Sequence, residues 1–123
     1  PVRAEPQQVI APEVAAALAR MMQTTTTEGT ARKIFRRDRL ARRSPLREVT
    51  VAGKTGSLSD QAPFRDYTWF VGFAPAEDPQ IAVAAVVVNG RLWRVKAPFV
   101  AHEALAAYFA AEAERAQTRT AAR

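Results

Sequence analysis

Three stretches that read as β-strands follow one another in the second half of the chain, with only short connections between them. No other feature constrains the fold as much. Residues 49–58, VTVAGKTGSL, show alternation with β-branched residues; residues 67–74 read YTWFVGFA; residues 81–89, IAVAAVVVN, are apolar at nearly every position. Between the last two, PAEDPQ has the composition of a turn or short loop, and Asn89-Gly90 is a strong turn signal. Strands adjacent in sequence and joined this closely form an antiparallel meander. The third strand, apolar on both sides, is expected to be central or covered on both faces.

The flanking segments read as helices. Residues 1–11 form an extended lead-in, and Pro12 suits a first helical turn. Val14, Leu18, Met21 and Met22 then recur on one helical face, where a methionine pair is expected to fill core. Thr24 to Thr27 and Gly29 are expected to break that helix. From Ala31 to Arg43 the chain is basic, with Asp38 the only acid, and Arg32, Arg36, Arg39 and Arg43 share one face if the segment is helical. That face is either an anion-binding surface or a solvated helix side. A last helix is expected from about Pro98 to Ala116, with Val100, Leu105, Tyr108 and Phe109 as its apolar contacts, and a frayed polar tail from Gln117. The fold class is α+β: a three-stranded antiparallel meander with helices packed on one face.

Composition limits the core. Hydrophobic residues make up 48% of the 123, but 26 of them are Ala, which adds little buried area per residue. One domain is the upper bound. There is no Cys, so no disulfide framework. The longest apolar run, Ile81 to Val88, is far short of a membrane span. The net charge of +6 favours anionic partners, but no base-reading Asn or Gln pattern accompanies the arginines, so nucleic acid is not expected. A chain that starts at Pro1 is expected to be a processed chain or an excised segment.

The chemistry-bearing segment is Lys54-Thr55-Gly56-Ser57. The tripeptide Lys-Thr-Gly alone is weak, yet its context is specific: a strand-like VTVAGKTGSL, then DYTWFVGFAP, then IAVAAVVVNG and a terminal helix. This succession resembles the C-terminal third of the penicillin-binding protein transpeptidase domain, class B above all, a family in which Lys-Thr-Gly is a catalytic element. The likeness runs from roughly Val9 to Phe109, takes in Gly29-Thr30-Ala31, and is most specific at WFVGFAP.

The resemblance implies roles for these residues. Lys54 would place a positive charge beside the hydroxyl that relays the proton. Thr55 and Ser57 would offer hydroxyls to the terminal carboxylate of a D-alanyl-D-alanine stem peptide or of a β-lactam. Gly56 would keep the wall flat, and the Ser57 backbone N–H would supply half of the oxyanion hole. Charge-assisted hydrogen bonds suit a carboxylate, and an oxyanion donor is typically worth about 3–4 kcal/mol of barrier. Strand alternation, however, puts Lys54 and Gly56 on one face and Thr55 and Ser57 on the other. Both sets serve one cleft only if the strand lies at a sheet edge whose rim faces the substrate.

Two of the family's elements are absent from this sequence. The nucleophile motif is Ser-x-x-Lys, but the residues three after Ser44, Ser57 and Ser59 are Arg47, Asp60 and Ala62. Guanidinium does not deprotonate in proteins, so Arg47 cannot substitute. Ser-x-Asn is missing as well, since Ser59-Asp60-Gln61 adjoins Lys-Thr-Gly instead of preceding it. Residues 1–123 are therefore expected to be the C-terminal part of a transpeptidase domain, inactive alone. The parent would be a serine D,D-transpeptidase anchored at the periplasmic face of the inner membrane. Its expected partners are stem peptides, β-lactams and the upstream segment of the same domain or another chain, with dimerisation or strand exchange of the isolated segment.

Two other readings stand beside this one. Relatives carrying Lys-Thr-Gly include β-lactamases and β-lactam sensors. Alternatively, Arg32 to Arg43 could make a basic, non-enzymatic module for an anionic polymer. No cofactor or metal is implied: there is one His and no Cys, and no carboxylates cluster. His102 reads as an ordinary helix-start histidine beside Glu103. A phosphate-binding loop fails because its first glycine would fall on Glu48. Trp69 and Phe70 read as core and cleft-floor residues.

Overall fold

The computed structural model describes residues 7–92 and 95–122, with the side chain of Arg39 outside that set. The elements are α1 (Pro12–Thr27), α2 (Arg32–Leu40), β1 (Ala52–Gln61), β2 (Phe64–Ala74), β3 (Ile81–Asn89) and α3 (Ala97–Ala121). The strands form one antiparallel sheet in the order β1-β2-β3, so the α+β class and the meander are both observed. The first hairpin is longer than expected, closing between Gln61 and Phe64 with unbroken register back to Ala52 and Phe73. Residues 49–51 stay outside it because the chain turns there, with Val49 N donating to Leu46 O at 3.2 Å.

One face of the sheet carries the core. Phe70 and Leu105 are fully buried, joined by Ala31, Phe35, Leu46, Val51, Ala74, Ala97 and Ala101. Phe35 of α2 stacks on Phe70 with centroids 5.6 Å apart. The N-terminus of α3 is docked by a side chain of the sheet: Ala97 N donates to Thr68 Oγ1 at 2.9 Å, satisfying an amide that no helical carbonyl can reach. Asn89 Nδ2 reaches Val95 O at 3.0 Å and holds the preceding connection.

Among the described residues the opposite face is largely uncovered. Trp69 and Val71 of β2, and Ala82, Ala84, Val86 and Val88 of β3, are all exposed on it. This corrects two expectations. β3 is an edge strand with one bare face among the described residues, and Trp69, 43% exposed, is not core. Apolar character records what a face would gain by burial; it does not bring the covering element with it.

The helices also depart from expectation. α2 and α3 pack on the core face, while α1 docks by its C-terminal turns at the start of β1. Met22 reaches the bare face, where it lines an open groove of about 350 Å³ with Val71, Phe73, Ala82 and Ala84. Val14, Leu18 and Met21 are exposed, so the apolar side of α1 is not core here. The threonine run does not break α1. Thr24 and Thr27 hydroxyls donate back to Arg20 O and Gln23 O, and the helix ends only after them. α3 continues through the expected tail to Ala121, with Val100 exposed and an Arg115–Glu112 ion pair on its surface. Residues 1–6 of the expected lead-in lie outside the described residues.

Candidate active-site wall

Lys54, Thr55, Gly56 and Ser57 all lie on β1, which among the described residues has β2 as its single neighbour in the sheet. Directly paired residues share a face. Thr55 pairs with the buried Phe70 and Ser57 with Thr68, so both belong to the core-side face. Lys54 pairs with Val71 and Gly56 with Trp69, which places them on the bare face. The alternation read from the sequence is thus present, and among the described residues β1 is an edge strand.

Backbone direction adds to this. Val51 O points away from β2, where it accepts from the buried Thr26 Oγ1 at 2.6 Å. Ala52 O points the other way, toward β2, lying 2.5 Å from where a Cβ on Gly72 would sit. In an extended strand the N–H and C=O of one residue face the same edge, and the next residue's face the other. The unbroken register therefore turns the N–H groups of Thr55 and Ser57 to the open edge.

The side chains on this edge have specific partners. Lys54 is exposed, and its Nζ donates to Thr55 O at 2.8 Å. Thr55 Oγ1 lies 2.7 Å from Thr30 Oγ1 on the turn between α1 and α2. Ser57 is exposed. Gly56 is not required by crowding within this chain, since a Cβ there would sit 3.4 Å from Trp69 Cβ, an ordinary contact. Gly53 is different: a Cβ there would fall 2.2 Å from Phe70 Cζ. The two glycines of this strand thus differ: Gly53 seats the core aromatic, whereas at Gly56 a Cβ has room within the sheet.

The remaining serines are engaged elsewhere. Ser59 donates to Asp66, and Ser44 Oγ donates to Asp38 Oδ1 at 2.5 Å while accepting from Leu46 N at 3.2 Å. His102 is more enclosed than a helix-start histidine was expected to be. Its Nε2 lies 2.7 Å from Asp38 Oδ2, its Nδ1 lies 2.9 Å from Glu103 Oε1, and its ring packs edge-on against Phe35. The carboxylate stands between serine and imidazole, so this chain lacks the serine–histidine contact of a nucleophilic triad. Its work is to tie α2 to α3. Among the described residues no three His, Cys, Asp or Glu gather as a metal would need.

Of the expected basic face, Arg32 and Arg36 line a cavity of about 290 Å³ with Thr26, Thr27 and Leu40. Arg43 lies beyond the end of α2, and the Arg39 side chain falls outside the described residues. Sequence reasoning missed Thr30 as a contact of Thr55, although it noticed the stretch Gly29-Thr30-Ala31. It also missed the Ser44–Asp38–His102 chain, for which no local spacing gives a signal.

Comparison with known proteins gives the family. The sequence profile of the family described as penicillin binding protein transpeptidase domain matches residues 2–107. The chain is also 40% identical over 45 residues to the peptidoglycan D,D-transpeptidase PbpA of Mycolicibacterium smegmatis. That alignment covers 34% of this chain and 9% of the relative, so the chain spans a small part of the curated protein it matches.

Proposed function

Because the chain belongs to the penicillin-binding protein transpeptidase domain family, we propose that β1 is one wall of an acyl-serine active site acting on peptidoglycan stem peptides. The carrying observation is an edge strand that presents Lys54 from one face, Thr55 and Ser57 from the other, and backbone N–H groups along its rim. The substrate's terminal carboxylate lies along this rim and takes hydrogen bonds from the Thr55 and Ser57 hydroxyls, where a charge-assisted bond is about twice as strong as a neutral one. Lys54 supplies the cation beside the proton-relaying hydroxyl, and Gly56 lets the substrate backbone lie flat. The Ser57 N–H receives charge as the carbonyl oxygen becomes an oxyanion.

The nucleophilic serine and its lysine come from sequence upstream of Pro1 in a longer protein. There the serine oxygen bonds to the penultimate D-alanine carbonyl carbon, the peptide C–N bond breaks, and a proton passes to the departing D-alanine amine. β-Lactams enter the same site as carboxylate-bearing acyl donors. The same upstream segment covers the bare sheet face. This chemistry belongs at the periplasmic face of the inner membrane, where the stem peptides are.

The test is release of D-alanine from a stem pentapeptide by the full-length protein. Lys54→Ala is expected to lower kcat/KM on the order of 10²–10⁴-fold, the range for losing a positioned proton-transfer partner. Unchanged turnover in that variant would remove Lys54 from the site.

A further inference from the structure

Thr30 is held against Thr55 by more than its own hydroxyl. The turn that carries it is closed by three backbone bonds: Gly29 N to Thr24 O at 2.8 Å, Ala31 N to Thr25 O at 3.0 Å, and Arg32 N to Gly29 O at 3.1 Å. A Cβ on Gly29 would come 3.0 Å from Thr25 Cα, so this corner is also tight. The end of α1 is in turn fastened to β1 through Thr26 and Val51, four residues from the Thr30–Thr55 contact along each segment. The backbone on both sides of the 2.7 Å hydroxyl contact is therefore held in place by the fold.

A hydroxyl carries one proton and two lone pairs. Within the pair, either oxygen can donate while no ligand is present. An anion on the β1 rim changes that choice, because a hydrogen bond to a charged acceptor outweighs one to a neutral hydroxyl. Thr55 then gives its proton to the anion and must accept from Thr30. Accepting that bond aims the Thr55 proton away from Thr30 and polarises it, since donors in a chain strengthen one another.

We infer that Thr30 is a positioning residue for carboxylate recognition, orienting the Thr55 hydroxyl toward the substrate's terminal carboxylate. This rests on the proposed role of β1 as the substrate-binding wall. It adds a residue from the α1–α2 turn, outside the Lys-Thr-Gly strand, to the determinants of specificity.

The test uses the full-length protein and two acyl donors: a penicillin with its free carboxylate and the methyl ester of the same penicillin. Thr30→Val removes the hydroxyl and keeps the shape. It is expected to lower the second-order acylation rate for the free acid by about five- to tenfold, leaving the ester within about twofold. Thr30→Ser should restore the free-acid rate. In a Thr55→Val background, Thr30→Val should have no further effect, because the two act as a unit.

The unchanged ester rate also reports that the variant is folded. If Thr30→Val slows both donors equally or neither, while Thr55→Val still loses preference for the acid, Thr30 has no orienting role and the wall stands. If Thr55→Val also leaves that preference intact, the wall itself is misassigned.

Discussion

Phe70 occupies the space that a side chain at Gly53 would need. A Cβ on Gly53 would fall 2.2 Å from Phe70 Cζ, so the strand bearing Lys54-Thr55-Gly56 lies flush against a fully buried phenyl ring. Gly72, paired with Gly53 across the ladder, is crowded in the same way, with a Cβ there 2.8 Å from Phe70 Cε1. Placement of the candidate wall is thus a consequence of core packing. Phe70 is stacked on Phe35 of α2, so the wall's position is linked to that helix.

This relationship separates two glycine substitutions. Gly53→Ala should destabilise the protein by about 1–3 kcal/mol through overpacking, read as a lower urea midpoint with unchanged slope. Gly56→Ala should cost far less stability, since its Cβ meets only Trp69 at contact distance, yet it should slow acylation by crowding the rim. Equal losses of stability at the two positions would contradict the packing account.

His102 should matter to stability and not to chemistry. Removing it by His102→Ala leaves Asp38, a buried carboxylate, with Ser44 as its remaining side-chain partner among the contacts described above. A loss of about 1–3 kcal/mol is expected from unfolding measurements. Acylation by penicillin in the full-length variant should stay within about twofold, because the wall does not touch this histidine. A large fall in acylation with unchanged stability would reverse the assignment.

The bare sheet face predicts behaviour of residues 1–123 expressed by themselves. Trp69, Val71, Val86 and Val88 form an exposed apolar surface beside two sheet edges, a surface of the kind that drives association. Sedimentation should show concentration-dependent self-association, reduced by the pair Val86→Lys and Val88→Glu. The same pair should lower the melting midpoint of the full-length protein if, as proposed, an upstream segment covers the face. A monomer at high concentration, or a full-length protein indifferent to the pair, would count against a covering upstream segment.

Much of the architecture was legible because its causes are local. Turn residues at 75–80 and at Asn89-Gly90 delimit the strands, and short connections dictate antiparallel order, whereas an edge position for β1 was expected only through the roles that the family resemblance implies. What escaped depended on partners distant in sequence or not present among the described residues. Periodicity marked Val14, Leu18 and Met21 as one apolar side of α1 but not what would cover it. The apolar run of β3 likewise pointed to burial that these residues alone do not supply. His102 reads as peripheral until α2 brings Asp38 to it, and Thr30 meets Thr55 only through the corner at Gly29.

The central claim is that residues 1–123 provide a wall to a serine nucleophile that they do not contain. It is tested most directly by incubating the full-length protein and the isolated 123-residue chain with a fluorescent penicillin and mapping the adduct by mass spectrometry. The account predicts a covalent adduct on a serine upstream of Pro1 in the full-length protein and none on the isolated chain. An adduct on Ser44, Ser57 or Ser59, or a full-length protein that takes no label, would contradict it.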